Sequence, residues 1–223
     1  GSRAAITGGA GFGCRSRPAP VPGGAGDRCL SKSREHGPSG TSGVRPGAGD
    51  DPGVNRIRPF TLHQPTSIEE AVLLLAAAGG TARPLAGGTD LVIDMKLGTT
   101  RPPVVVNLKR IRGLDGIDRV DGGTRIGALV RICALESSTV MRERYPALWQ
   151  AARTLGTRPI RNLATIGGNL GRSSPASDMA PPLIVHGALV EVEGPAGRRT
   201  VPIDEFPVGP GASKARKCVP GRP

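Results

Sequence analysis

Glycine and proline are spread so unevenly along this chain that they limit where a core can form. Residues 1–55 hold 14 of the 34 glycines and 6 of the 22 prolines, and almost none of their apolar residues recur at helical or strand spacing. A segment of this kind buries too little apolar surface to offset the chain entropy lost on folding. Residues 1–55 are therefore expected to be a disordered or non-native extension. The remaining periodicity confines the folded part to residues 56–206, leaving 207–223 as an irregular basic tail.

The first 55 residues contain one decoy. "AITGGAGFGCRSRPAPVP" has the glycine spacing of a turn that seats a pyrophosphate at a helix N-terminus. Its context argues against that role, because no strand is expected before it and Pro18, Pro20 and Pro22 bar a helix after it.

From Arg56 the pattern becomes regular. "PTSIEEAVLLLAAAGG" predicts a helix with Ser67 as N-cap, Glu70 closing a capping box, Ile68, Val72 and Leu75 on one face, and Gly79 as the stop. "ARPLA" at 82–86 and "VVVNL" at 104–108 predict a short and a buried strand. "GIDRVDGGTRIGALV" predicts a hairpin turning at Asp121, Gly122 and Gly123. Helices follow near 131–137 and 146–155, the second opened by Pro146. "ALVEVEGPAGRRTVPI" predicts another hairpin, turning between Gly194 and Gly197. The sum is a small α/β unit followed by an α+β unit.

Charge and cysteine content narrow the function classes. The net charge of +12 is divided as +3 over residues 1–55, +5 over 56–206 and +4 over 207–223, so more than half lies in the irregular ends. Sequence-tolerant single-strand binders stack bases on aromatic rings, and here the aromatic residues are only Phe12, Phe60, Tyr145, Trp149 and Phe206. Nucleic acid is not an expected partner. Cys14, Cys29, Cys133 and Cys218 form no C-x-x-C pair, and His36, His63 and His186 are scattered, so neither a zinc site nor an iron–sulfur cluster is expected. The longest apolar run, Ala71 to Ala78, is too short to span a bilayer, and no signal-peptide pattern opens the chain. A cytoplasmic location is expected.

The chemistry is concentrated in two glycine pairs, one in "PLAGGTDL" (84–91) and one in "TIGGNL" (165–170). Paired glycines tolerate positive φ and carry no Cβ, so successive N–H groups can converge on an anion and a ligand can approach the backbone. Neither segment carries the Lys of a phosphate-transfer loop, which points to a diphosphate that is bound and not hydrolysed. Each segment also has a purely structural alternative. Gly87 and Gly88 could be a turn into a helix starting near Leu91 with Thr89 or Asp90 as N-cap, and Gly167 and Gly168 a bulge. Asp178 could cap the next turn, Ser173, Ser174 and Ser177 could solvate a loop, and Arg172 could be a solvated charge.

Taken in order, "RPLAGGTDLVIDMKLG", "VVVNLKRI", "RIGALVRI", "IRNLATIGGNLGRSSPASD" and "GRRTVPIDEF" resemble the FAD-binding subunit or domain of the molybdenum hydroxylases, the xanthine dehydrogenase and carbon monoxide dehydrogenase flavoprotein family. The resemblance covers residues 57–206. It implies an α+β, two-lobed FAD-binding fold, two small α/β subdomains with FAD between them, the lobes being about 56–110 and 111–206. It also implies a set of FAD-binding residues: Leu85, Ala86, Gly87, Gly88, Thr89, Asp90 and Leu91 from one side, and Thr165, Gly167, Gly168 and Asn169 from the other. Asp178 would hydrogen-bond within the same site, and Leu155 matches an apolar neighbour of the flavin.

The implied function is an oxidoreductase flavoprotein subunit that passes electrons from iron–sulfur clusters to an external acceptor. Its implied partners are a molybdopterin-binding subunit and an iron–sulfur (2Fe–2S) subunit, without which it is not competent for hydroxylation. Flavoproteins of the family continue past the segment matched by "TVPIDEF" into elements that help cover the isoalloxazine ring. The alternative expectation is thus a truncated or inactive fragment that binds FAD weakly or not at all.

Overall fold

The computed structural model describes residues 3–9, 57–209 and 212–213. All of these fall in one compact unit formed by Gly1–Arg15 and Arg56–Pro223, whereas Ser16–Asn55 lies outside the described residues. The chain begins with strand β1 (Arg3–Gly9), and a parallel βαβαβ unit starts at β2 (Thr61–His63). This unit continues through α1 (Ile68–Ala77), β3 (Arg83–Leu85), α2 (Leu91–Lys96) and β4 (Val104–Asn107). Its three strands lie in the order β2-β4-β3, all parallel, as expected when each connection is a helical crossover.

Helix α1 starts where its cap chemistry dictates. The Glu70 N–H donates to Ser67 Oγ at 3.1 Å, and the Glu70 carboxylate accepts from the Thr66 N–H at 2.9 Å, one residue earlier than a standard capping box. Val72 and Leu75 are buried, with Ile68 partly so, and Gly79 at φ +55° ends the helix. The Glu69 carboxyl is held below its usual range by a backbone hydrogen bond and by Ser67. Ala71, Leu75, Ala82, Val106 and Leu108 form the first core together with Ile111, Leu114 and Leu129.

The second sheet is flanked by two hairpins. Strands β5 (Ile117–Val120) and β6 (Gly123–Gly127) pair antiparallel around Asp121-Gly122, with Gly122 at φ +79°. Six short helices follow: α3 (Ile132–Ser137), α4 (Thr139–Arg144), α5 (Pro146–Thr154), α6 (Arg158–Leu163), α7 (Ile166–Arg172) and α8 (Ala180–Val185). Strands β7 (Leu189–Gly194) and β8 (Gly197–Pro202) then form the second hairpin. Along β7 every second residue is buried, and Val190 and Val192 join Ile126, Ile132, Leu135 and Tyr145 in the second core.

Three sequence expectations are corrected. Arg3–Gly9, placed above in a disordered extension, is a strand at the centre of the sheet, whose order is β5-β6-β1-β7-β8; it pairs parallel with both β6 and β7. Its partners lie more than a hundred residues away in sequence, so local composition carries no trace of the pairing. The glycine-rich decoy accordingly does begin with a strand, and the rest of that segment lies outside the described residues. In the basic tail, Pro207–Gly209 and Ala212–Ser213 form a short antiparallel pair, β9 and β10. Finally, the second glycine pair lies on a helix, α7, and does not form the bulge that the sequence allows as its structural alternative.

Candidate functional site

The first glycine segment leaves the carboxyl end of β3, the edge of a parallel sheet at which open α/β folds receive their ligands. Leu85 closes the strand, and Ala86, Gly87, Gly88 and Thr89 follow, all half-buried. Gly88 has φ +83°, a conformation open to glycine but strained for other residues. Asp90 is exposed and stands at the N-cap position of α2 without a side-chain cap bond, and Leu91 opens that helix. The turn-into-helix alternative therefore describes the local backbone correctly. Among the described residues, the N–H groups of Gly87, Gly88 and Thr89 donate to no protein acceptor.

The second segment is held differently. Ala164 to Ile166 lies against Val130 to Ile132: the Ile132 N–H donates to the Ala164 carbonyl at 2.9 Å, and the Ile166 N–H to the Val130 carbonyl at 3.0 Å. Buried Thr165 caps α7, its Oγ1 accepting from the Gly168 N–H at 3.1 Å. The Gly167 N–H donates to the Ala128 carbonyl at 2.9 Å. A Cβ at Gly167 would lie 2.6 Å from that same oxygen, so a side chain is excluded there by neighbouring backbone. The N–H groups expected to converge on an anion from this segment are thus already committed within the protein.

The structure brings the two segments together. A Cβ on Gly87 would collide with the Leu163 carbonyl oxygen and stand 3.0 Å from the Ala164 Cα. A Cβ on Gly168 would lie 2.9 Å from Thr165 Oγ1 and 3.9 Å from the Ala86 Cβ. Gly87 is therefore the point at which the first segment packs directly on the backbone leading into the second. A third link joins α2 and α7, because Arg172 at the end of α7 forms a two-pronged ion pair with Asp94 on α2.

Asn169, one residue after the glycine pair, has a fixed amide. Ser177 Oγ accepts from the Ala180 N–H at 3.3 Å and donates to Asn169 Oδ1 at 2.6 Å, which leaves the Asn169 Nδ2 protons without a partner among the described residues. Ser177 and Arg172, which the sequence allows to be mere solvation, are thus structural partners of the site. Ser173 is buried, adopts φ +50°, and ends α7 with its Oγ donating to the Leu170 carbonyl at 3.2 Å. Nothing in their local pattern separates these residues from loop polarity. Only contacts reaching as far as 78 residues along the chain do so.

Two expected residues stand apart from this cluster. Leu155 is 7% exposed and belongs to the second core. The turn that follows it is braced by Arg161, which donates to the Leu155 and Gly156 carbonyls at 3.2 and 3.1 Å while pairing with Glu136 at 2.9 Å. Asp178 is exposed in the turn before α8 and makes no hydrogen bond among the described residues. Among the described residues, no group of three or more His, Cys, Asp or Glu side chains could hold a metal ion, and no helix is long and apolar enough to cross a membrane.

Known proteins resemble this chain in both fold and sequence. The family described as "FAD binding domain in molybdopterin dehydrogenase" matches residues 58–219. The carbon monoxide dehydrogenase medium chain of Hydrogenophaga pseudoflava is 39% identical over 150 residues, 67% of this chain and 52% of that protein. The xanthine dehydrogenase FAD-binding subunit of Escherichia coli O157:H7 is 35% identical over 150 residues, 67% of this chain and 51% of its own length. The chain thus spans about half the length of the curated relatives it matches. A solved structure of the Hydrogenophaga pseudoflava carbon monoxide dehydrogenase superposes with a TM-score of 0.69 at 37% identity, covering 71% of this chain and 55% of that one. With the parallel unit, the second sheet and the two joined glycine segments in place, this chain belongs to the family of FAD-binding domains of the molybdopterin dehydrogenases.

Proposed function

We propose that the chain is the FAD-binding, electron-transfer part of a molybdenum-containing hydroxylase or dehydrogenase. The observation that carries this reading is the meeting of the two glycine segments, Gly87 against Leu163 and Ala164 and Gly168 facing Ala86, at the carboxyl end of β3. The residues present fit a dinucleotide. Uncommitted N–H groups at Gly87, Gly88 and Thr89 suit the diphosphate oxygens, and the free Asn169 amide protons suit a phosphate or ribityl oxygen. Leu85, Ala86, Asp90 and Leu91 complete the first wall, Thr165 and Gly167 hold the second in place, and exposed Asp178, in the turn before α8, is left to approach the cofactor from outside this cluster. When bound in such a site, the flavin would supply the redox chemistry, a relay of electrons from iron–sulfur clusters to an external acceptor.

This chain's contribution is to grip and orient the dinucleotide. Relatives that are named medium chain or FAD-binding subunit support a multisubunit setting, with a molybdopterin-binding subunit and a 2Fe–2S subunit as the partners. The test is an FAD titration of the purified 223-residue chain, followed by a visible spectrum after gel filtration. Retained flavin absorbance is expected. A chain that stays colourless and leaves flavin fluorescence unchanged would overturn the reading.

A further inference from the structure

We infer that Asp94 and Arg172 form a clasp that sets the spacing between the two glycine segments, making both of them positioning residues for the dinucleotide site proposed above. Helix α2 starts directly after the first segment and carries Asp94 at its fourth residue, whereas α7 carries Gly167 and Gly168 in its first turn and Arg172 at its last residue. Each charge therefore rides on a short rigid rod whose other end bears one side of the site. Contact of Gly87 with Leu163 and Ala164 joins the two sides at the start of α7. That contact alone would leave a pivot. The ion pair at the far end of α7 supplies a second fixed point and removes that freedom.

The geometry is that of a built contact and not of two mobile surface chains. Arg172 Nη1 meets Asp94 Oδ2 while Nη2 reaches Oδ1 at 3.4 Å, the fork-to-fork pairing that fixes orientation as well as distance. The Asp94 side chain is 20% exposed and that of Arg172 44%. Both backbones are pinned. The Asp94 carbonyl accepts from the Thr99 N–H at 2.9 Å and Thr99 Oγ1 at 3.0 Å, and the residue after Arg172, buried Ser173, bonds twice to the Leu170 carbonyl. A positively charged residue in the last turn of α7 also complements that helix's dipole.

The inference rests on the FAD reading, and its test separates the two. In the full chain, Arg172→Met and Asp94→Asn should each raise the FAD dissociation constant about fivefold, the upper range for a partly exposed pair. Arg172→Lys, which keeps the charge but not the fork, should fall between. The double exchange Asp94→Arg with Arg172→Asp should recover most of the affinity. Hydrogen exchange on the flavin-free chain supplies the independent readout: amides 87–89 and 167–169 should exchange faster in Arg172→Met. Failure of the wild type to bind FAD, with that exchange pattern present, overturns the function but not the clasp. Unchanged exchange at both segments, or a lowered melting temperature with an unchanged dissociation constant, overturns the clasp.

Discussion

The two glycine pairs look alike in sequence and are built on opposite plans. At Gly87–Gly88 the backbone turns towards α2, one glycine has positive φ, and the N–H groups have no protein acceptor among the described residues. At Gly167–Gly168 the backbone is helical, neither glycine has positive φ, and both N–H groups are used, by Ala128 and by Thr165. Glycine is needed in the first segment for conformation and for close packing, and in the second for packing, because the Ala128 carbonyl occupies the space of a Cβ. Helix α7 tolerates a residue that costs about 1 kcal/mol in a helix interior. The same dipeptide thus leaves its N–H groups uncommitted in one place and forms a close backbone seam in the other.

Substitutions can break this contrast, beginning with the largest effect. Gly87→Ala drives a methyl group into the Leu163 carbonyl and the Ala164 backbone, and should cost about 3 kcal/mol in urea denaturation while abolishing FAD retention. Gly167→Ala, with Ala128 backbone and Cβ at 2.6 and 2.7 Å, should cost about 2 kcal/mol. If Gly87→Ala keeps wild-type stability, the seam between the segments is not where these contacts place it, and if Gly167→Ala does, α7 does not pack on Ala128 as its contacts indicate.

Asn169→Ala separates binding from folding. It removes the free amide protons without touching a core residue, so the FAD dissociation constant should rise about tenfold with little change in the urea midpoint. Ser177→Ala should follow in the same direction, because it frees the Asn169 amide to rotate. Equal FAD affinity in both variants would shift the second segment's role wholly to packing.

Smaller effects sharpen the picture of the first lobe. Ser67→Ala removes the cap of α1 and should cost about 1 kcal/mol with no change in FAD affinity. Smallest of all is a pH term. The Glu69 carboxyl is held below its usual range by backbone and Ser67 hydrogen bonds, so its contribution is present above the unfolded-state value and fades as pH falls through the lowered one. Glu69→Gln should therefore flatten the acid limb of the stability curve slightly, and an identical limb in urea midpoints measured across the carboxylate range would remove that contribution.

Elements whose causes are local were legible before the structure. The cap at Ser67 and Glu70, the stop at Gly79, the Asp121-Gly122 turn and the Pro146 helix start each depend on residues within four positions of one another. The short helices α6, α7 and α8 were not expected, since their apolar residues are too few for a period and glycine or proline interrupts each neighbourhood. The two glycine segments that the fold joins were both legible in the sequence, but the second segment's N–H groups were given a role that Ala128 and Thr165 already fill. Asp94 and Ala128 were missed because their signal is a partner distant in sequence, and the role of Ser177 was missed because its bond to Asn169, eight residues back, follows no periodic pattern.

By itself the sequence determined where the caps and hairpins turn between Arg56 and Phe206 and, through two glycine motifs in order, which family the chain joins. Tertiary structure alone decided that Arg3–Gly9 lies between β6 and β7, that Gly87 sits on Leu163 and Ala164, and that Arg172 reaches Asp94. The physical reason is range. Caps and turns are settled by hydrogen bonds within a few residues, whereas strand pairing, backbone seams and ion pairs between helices follow from how two distant surfaces are brought together when their apolar faces are buried.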